Sequence, residues 1–442
     1  MCYGGKVPQQ KKEFPLIQVA LDFTEIERAL KVAREAVKEG ITWIEAGTPL
    51  IKSEGLNSVR ALKKEFPDST IIADMKIMDT GRIEAEMAFK AGADIVVVMG
   101  AASDTTIRQA VEAAVNYGGK VMVDLMETFA CPERARAVES LGVHYIGVHI
   151  PIDNQMTGNI EFSLLKKISA SVNIPVAIAG GINSENIVEA VSAGASILIV
   201  GGAVTKSEKV GDAVKNLQKA LNDKCPVATQ LYKRASIEDI ERVFKQISSA
   251  NLTDAMHRQG WIRDVFPVLK EKCKISGRAI TVRTYPGDWA KPVEAIDIAD
   301  EGSIIVIDAG GVPPAVWGEL ATYSAITKKI AGVVIYGGVR DIEEVRRLKY
   351  PIFAKFICPE AGEPKGFGEI NVPIKVGGQT VHPDDWILGD SDGVAVVPKD
   401  RVAEIANRAM DVLERENRIR KEIKDGGTLS SVTSLLRWEK TQ

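Results

Sequence analysis

Residues 74 to 79 read Asp-Met-Lys-Ile-Met-Asp, directly after the apolar run Thr70-Ile71-Ile72-Ala73. On a strand, side chains two residues apart share a face, so Asp74 and Lys76 point together while Asp79 lies beyond the strand end in a loop. A lysine set between carboxylates stays protonated, and the acids leave oxygen ligands for a hard cation. Taken bare, D-x-K-x-x-D reads as a solvated charged turn. The elements around it decide between the two.

Short apolar runs recur at 16–21, 41–45, 70–74, 94–99, 120–124, 143–148, 175–179 and 196–200, and amphipathic stretches such as 25–39 and 184–193 lie between them. Eight repeats of strand then helix in this length predict an α/β fold, a (β/α)8 TIM barrel with little room for insertions. In such a barrel the chemistry sits at the carboxyl ends of the strands. Strand one ends in Asp22, strand two in Glu45, strand three in Asp74 and Lys76, and strand six runs into His149. Strands seven and eight end in Gly180-Gly181 and Gly201-Gly202. Paired glycines there let backbone amides approach a phosphate. Individually, Asp22 or Glu45 reads as a helix cap and His149 as a near-core histidine; His144, at a strand start, reads as a satisfied one.

The 442-residue length predicts two domains, and 56 basic against 59 acidic residues, a formal charge of -3, give no global field for nucleic acid or an anionic membrane. Cys2, Cys131, Cys225, Cys273 and Cys358 are scattered without a C-x-x-C pair and read as reduced thiols. No run is long and apolar enough for a membrane span, and the first residues lack a signal-peptide hydrophobic region, so the expected location is cytoplasmic. The expected division is a tail over 1–14, the barrel over 15–222, a linker over 223–235, a smaller α/β domain over 236–410 and a helical tail over 411–442. Ser236 to Asp239 predicts a capping box at the start of the second domain, and Val402, Ile405, Ala406, Met410 and Val412 give the helix-like run that opens at Arg401 an incomplete apolar stripe suited to packing or subunit contact.

The segments VALD (19–22), IEAGTPLI (44–51), ADMKIMDTG (73–81), GVH (147–149), AGGI (179–182) and VGGA (200–203) resemble the orotidine-phosphate-decarboxylase superfamily, most closely its 3-hexulose-6-phosphate synthase branch. The resemblance implies an aldehyde lyase interconverting D-ribulose 5-phosphate plus formaldehyde with 3-hexulose 6-phosphate. It implies that Glu45 and Asp74 bind Mg2+ (or Mn2+), that Asp22, Lys76 and Asp79 surround the reacting carbons, and that His149 carries protons. Gly180, Gly181, Gly201 and Gly202 would take the phosphate. It also implies a homo-oligomer in which Asp79 serves a neighbouring subunit. The sister activity, 3-keto-L-gulonate-6-phosphate decarboxylation, shares the triad; its arginine three positions after the strand-six histidine is Ile152 here, which favours the synthase.

In the second half, Trp317-Gly318-Glu319-Leu320 and Gly337-Gly338-Val339-Arg340-Asp341 stand out. Bare, Arg340-Asp341 reads as a helix start with an acid cap. LTDAMHRQG (252–260), GRAITVR (277–283), WGELATYSA (317–325), YGGVRD (336–341) and GDSDGVAVVP (389–398) resemble the RraA-like family. That resemblance implies that Asp341 helps hold a divalent metal, Glu319 supports its water shell and Arg340 grips a 2-oxoacid carboxylate. Gly310 and Gly311 would offer amides to the same ligand. The alternative is a non-catalytic module for oligomerisation or ribonuclease regulation.

Overall fold

The computed structural model describes residues 15–129, 131–150, 162–229, 231, 234–269 and 273–433. The tail 1–14, Cys2, Ile152 with the rest of 151–161, and 434–442 lie outside the described residues, as do positions 230, 232 and 233 of the expected linker. The chain divides into two compact units: one holds the barrel, the residues up to Tyr232 and those from Asn417 onward, and the other runs from Lys233 to Glu416.

In the first unit eight parallel strands close into a barrel in sequence order: β1 (Leu16–Leu21), β2 (Trp43–Ala46), β3 (Thr70–Ile77), β4 (Ile95–Met99), β5 (Lys120–Asp124), β6 (Tyr145–His149), β7 (Val176–Ala179) and β8 (Ile197–Val200). Alternation sorts each strand's side chains to two sides. Trp43, Ile72, Ile95, Val97, Met122, Tyr145, Ala177 and Ile197 fill the interior, where the Trp43 and Tyr145 rings meet edge to face at 5.7 Å. The opposite residues, such as Val19, Ile44, Ile71, Val96, Val121 and Ile146, pack under the helices. The same parity continues past the apolar layer: two residues beyond Met122 stands Asp124, beyond Trp43 stands Glu45, and beyond Ile72 stand Asp74 and Lys76. His144 accepts a hydrogen bond at Nδ1 from the Val121 amide (3.2 Å), the satisfied histidine its position predicted.

The second unit is built on parallel strands Ile275–Thr284, Ile304–Asp308, Gly332–Val339 and Ile352–Ile357, extended by antiparallel strands Trp386–Asp390, Gly393–Val397 and Trp261–Ile262. Ile305, Ile307, Val333 and Ile335 face one cluster with Trp317 and Val345, while Ile304, Val306, Val334 and Phe353 face another with Val376 and Val394. Both faces of the central strands are therefore buried, which explains their unbroken apolar runs. The predicted capping box is corrected. Ser236 precedes a 3-10 turn, Ile237–Asp239, with no side-chain cap bond, and its hydroxyl goes to Glu238 instead. The capping box is found one helix later, where Ser248 and Asn251 bond reciprocally; the asparagine carbonyl does the work usually given to glutamate. Val402, Ile405, Ala406 and Met410 of the long helix Val402–Lys424 are buried within this unit, so the stripe is a packing face.

Helix Gly81–Lys90, which follows the acid-lysine cluster, lies so close to helix Asp104–Tyr117 that a Cβ at Gly81 would come within 2.0 Å of the Thr106 carbonyl oxygen. Gly81→Ala is expected to lower unfolding stability by about 2–3 kcal/mol, the cost of overpacking against backbone. A denaturant midpoint unchanged from that of the parent chain would refute this close approach.

Candidate active sites

At the carboxyl end of the barrel, β3 departs from regular geometry: its ladder with β4 slips between Ala73 and Ile77, and Lys76 adopts φ 47°. The turn swings the lysine onto the side of Asp74. Its Nζ lies 2.9 Å from Asp74 Oδ2 and 3.3 Å from Asp124 Oδ2, and Thr48 donates its hydroxyl to Asp74 Oδ2 at 2.7 Å. Asp124 Oδ2 also meets His149 Nδ1 at 3.2 Å, while Asp124 Oδ1 accepts the Met126 amide at 2.9 Å. Asp74, Lys76 and His149, expected together, are thus joined, and the joining residue is Asp124, which motif reading passed over. The signal was present, since KVMVD places an acid at the end of a barrel strand with the parity of Glu45 and Asp74.

Burial pushes the Asp124 carboxyl up, but the hydrogen bond from His149, the charges of His149 and Lys76 and the Met126 amide outweigh it. It titrates below its ordinary 3.8. Burial pushes Lys76 down, and Asp74 and Asp124 more than reverse that, so its ammonium is held above the ordinary lysine value. An ionised Asp124 only accepts hydrogen bonds, so His149 must present Nδ1–H to it, which leaves Nε2 as the proton acceptor.

Glu45 is buried, and its Oε2 accepts from Gln18 Nε2 at 2.5 Å; Gln18, wholly buried on β1, keeps an Oε1 with no partner among the described residues. Sequence reading also missed Gln18, a polar residue at an inward position of a barrel strand. Burial first, then the charges of Asp74 and Asp22, raise Glu45 well above its ordinary 4.5 against the Gln18 bond and Lys76. Asp22 is raised by desolvation in the mouth and then by Asp74, with Lys76 and His149 opposing. Its exposed surface makes that desolvation partial. Gly47 is required beside it, because a Cβ there would lie 2.2 Å from Asp22 Oδ1.

Mutually repelling carboxylates next to an unpartnered amide oxygen form a donor set that suits a hard dication. Among the described residues no three His, Cys, Asp or Glu side chains gather closely enough to enclose one. Two carboxylates completed by water and ligand oxygens are the usual Mg2+ arrangement, and Glu45 with Asp74 fits it.

Gly180 and Gly181, at φ 99° and 71°, follow β7, and the Gly181 carbonyl is fixed by Asn186 Nδ2 at 3.0 Å. Among the described residues the Gly181 amide makes no hydrogen bond. Gly201 and Gly202 open the short helix Gly202–Thr205 after β8, and a Cβ on Gly201 would stand 3.4 Å from Asp22 Oδ2. The glycine turn of β8 therefore borders the acids. Asp79 is exposed and accepts the Thr80 amide at 2.7 Å; it lies apart from the hydrogen-bonded Asp74–Lys76–Asp124–His149 chain.

In the second unit Arg340 and Asp341 follow strand Gly332–Val339, and Glu319 follows the adjacent parallel strand Ala315–Trp317. The Arg340 amide donates to the Trp317 carbonyl at 3.0 Å, Asp341 Oδ2 accepts the Glu319 amide at 3.0 Å, and Arg340 Nε lies 3.4 Å from the same oxygen. The predicted trio is together. Asp341 precedes helix Ile342–Leu348 at φ 56° without capping it, and its carboxylate instead holds the start of the neighbouring helix. Gly318 permits the approach, since a Cβ there would meet Asp341 Oδ2 at 2.4 Å. The expectation for Gly310 and Gly311 is corrected. Their amides are already engaged, with Asp308 Oδ1 at 3.0 Å and the Tyr336 carbonyl at 3.1 Å, because the loop folds back on its own strand ends.

Comparison with known proteins decides the barrel's lineage. The family model described as Orotidine 5'-phosphate decarboxylase / HUMPS family matches residues 15–217. A 3-hexulose-6-phosphate synthase from Mycobacterium gastri is 39% identical over 205 residues, covering 46% of this chain and 99% of that protein. The chain belongs to the orotidine 5'-phosphate decarboxylase / HUMPS family. A 3-hexulose-6-phosphate synthase of Bacillus subtilis is 37% identical over 206 residues, 46% of this chain and 98% of that one. A crystal structure of 3-hexulose-6-phosphate synthase, 38% identical, covers 47% of this chain and 99% of its own with a TM-score of 0.45. A model described as Aldolase/RraA matches residues 249–396, so this member of the HUMPS family carries an RraA-like second domain.

Because ionising the buried Glu45 is opposed by its surroundings, it weakens the metal-free fold. A carboxyl whose folded pKa is raised contributes stability in acid that is lost as pH rises from the unfolded value. In chelator, Glu45→Gln is expected to melt above the parent chain at pH 8 by roughly 2–4 °C, equivalent to about 1 kcal/mol, with the gap closing towards pH 4.5. Melting points that stay equal across this range would show that Glu45 ionises without cost.

Proposed function

We propose that the barrel is a lyase that adds D-ribulose 5-phosphate to formaldehyde, giving 3-hexulose 6-phosphate, and runs the same aldol reaction backwards. The observation that carries this reading is the hydrogen-bonded chain Asp74–Lys76–Asp124–His149, anchored on two buried carboxylates, which joins a fixed ammonium to an oriented proton carrier. Relatives of that name at 34–39% identity support it. His149 Nε2 takes a proton from the carbon next to the substrate ketone, and Asp124 steadies the imidazolium formed. The Lys76 ammonium stabilises the negative charge that develops on the enediolate oxygen. The enediolate carbon then bonds to formaldehyde carbon, and the new alkoxide recovers the proton from His149, so the overall addition is proton-neutral. Asp22, at the mouth beside Gly47, borders the reacting carbons. Mg2+ or Mn2+, held by Glu45 and Asp74, would add positive charge at the substrate oxygens. Gly180, Gly181, Gly201 and Gly202 bind the phosphate by backbone amides. On the same resemblance the protein acts in the cytoplasm as a homo-oligomer, and Asp79 serves a neighbouring subunit's site.

Formaldehyde-dependent consumption of ribulose 5-phosphate tests the reading directly. Turnover is expected to require Mg2+, to disappear in Asp74→Ala and to fall about 10²-fold or more in Asp124→Asn, which takes away the ionised partner of both Lys76 and His149. Carbon dioxide release from 3-keto-L-gulonate 6-phosphate in place of aldol turnover would reject the synthase and install its sister activity.

For the second domain we propose a 2-oxoacid site: Arg340 clamps the carboxylate with its guanidinium fork, Asp341 contributes to holding a divalent cation and Glu319 orders that ion's water. Calorimetric binding of pyruvate in Mg2+ is expected to weaken at least tenfold in Arg340→Ala, about 1.4 kcal/mol. Equal binding by the variant would leave the domain a non-catalytic module.

A further inference from the structure

The last turns of helix Val402–Lys424 belong to the barrel unit, and their polar side chains reach the segments that follow β1 and β8. Arg418, with 11% of its side chain exposed, donates Nη1 to the Thr205 carbonyl and Nε to Glu422 Oε1 at 3.2 Å. Its guanidinium carbon lies 5.5 Å from the centre of the Phe23 ring, and that of Arg28 lies 5.8 Å from the same ring. Glu422 stands 4.0 Å from Arg28 Nη2, and Arg28 Nη1 donates to the Val432 carbonyl at 3.3 Å. Lys421 Nζ donates to the Glu208 carbonyl at 3.0 Å.

The two barrel segments gripped here carry chemistry. Phe23 directly follows Asp22. Thr205 closes the four-residue helix that Gly202 opens, and its own amide bonds the Gly201 carbonyl at 2.9 Å. A helix this short is one turn, so displacing Thr205 displaces the Gly201-Gly202 amides. The carbonyls at a helix end have no partner within the helix, and a buried guanidinium supplies one while matching the local negative potential. Burying that charge is costly unless it is paired, and Glu422, the Phe23 face and the Thr205 carbonyl together meet the requirement. The pairing thus specifies where Arg418 sits, and Arg418 specifies where the turn sits.

We propose that Arg418 is a positioning residue for the sugar-phosphate site, fixing the Gly201-Gly202 turn and the Asp22-Phe23 loop from a segment beyond the RraA-like domain. This rests on the assignment of the phosphate to that turn. Because Arg418 acts on binding and touches no reacting atom, Arg418→Ala is expected to raise KM for ribulose 5-phosphate about tenfold while kcat stays within about threefold. Arg418→Lys, which keeps the charge and one donor, should recover part of the loss. The rise in melting temperature produced by inorganic phosphate should shrink in the same order, a readout that needs no aldol turnover. Far-ultraviolet circular dichroism establishes that each variant is folded, and an unfolded Arg418→Ala leaves Arg418→Lys to carry the comparison. An unchanged KM and phosphate shift, or a loss of kcat alone, overturns the proposal. A parent chain whose melting temperature phosphate does not move overturns it too. Phosphate binding weakened by the variants in a chain that performs no aldol reaction would remove the activity assigned above and leave the positioning role intact.

Discussion

The Lys76 ammonium lies within 3.3 Å of two buried carboxylates, Asp74 and Asp124, and influences two more, Asp22 and Glu45. Four acids that share one lysine, three of them buried, cannot all be charged at little cost. Like charges in such a place raise one another's pKa, and a buried unpaired charge costs several kcal/mol. The structure divides the burden unevenly. Asp124 receives Lys76, His149 and a backbone amide and stays ionised, while Glu45 receives, among the described residues, a single amide N–H from Gln18 and resists ionisation. One lysine therefore separates the acids into a fixed anion that orients His149 and a carboxyl, Glu45, whose ionisation further positive charge would favour.

That arrangement has a backbone cost. Lys76 sits at φ 47°, a conformation that costs a residue with a Cβ about 1–2 kcal/mol, and the β3–β4 ladder slips where it occurs. A regular strand would keep the lysine in line with Asp74 along the strand axis. The left-handed turn brings its Nζ within reach of both Asp74 and, two strands away, Asp124. Glycine at 47 is the complementary concession, since any side chain there would occupy the position of the Asp22 carboxylate. The barrel beneath is rigid enough to hold both, with its interior closed by Trp43, Met122 and Tyr145.

Much of this was legible in the sequence because barrel strands obey a period of two and a rule of ends. The apolar runs located all eight strands, and the residues closing them gave Asp22, Glu45, Asp74, Lys76 and His149. Asp124 and Gln18 were missed for a related reason: motif matching follows clusters along the chain, whereas these two lie in the cluster only through parity across neighbouring strands. The capping box at Ser236 failed because serine and acid spacing occurs in a 3-10 turn as readily as in a helix, and only the path of the backbone decides which forms. Gly310 and Gly311 failed because a glycine pair signals freedom of φ, not an unoccupied amide. What the fold does with the freed N–H depends on Asp308 and Tyr336, which no spacing rule reaches.

Both domains place their polar clusters after parallel strands, as the topology of such sheets favours, yet the clusters differ in electrical strength. In the barrel, Lys76 and Asp124 keep 22% and 7% of their side-chain surface; Arg340 and Asp341 keep 42% and 36%. Water screens the second pair to the level of a surface ion pair, worth at most about 1 kcal/mol. The barrel mouth is consequently preorganised before any ligand arrives, with tautomer, charge and orientation already set by burial. Arg340 has no such advantage. An anion placed beside it would be held more strongly only by displacing water itself, so base-acid pairs at comparable strand ends yield a standing electrostatic field in one domain and a screened one in the other.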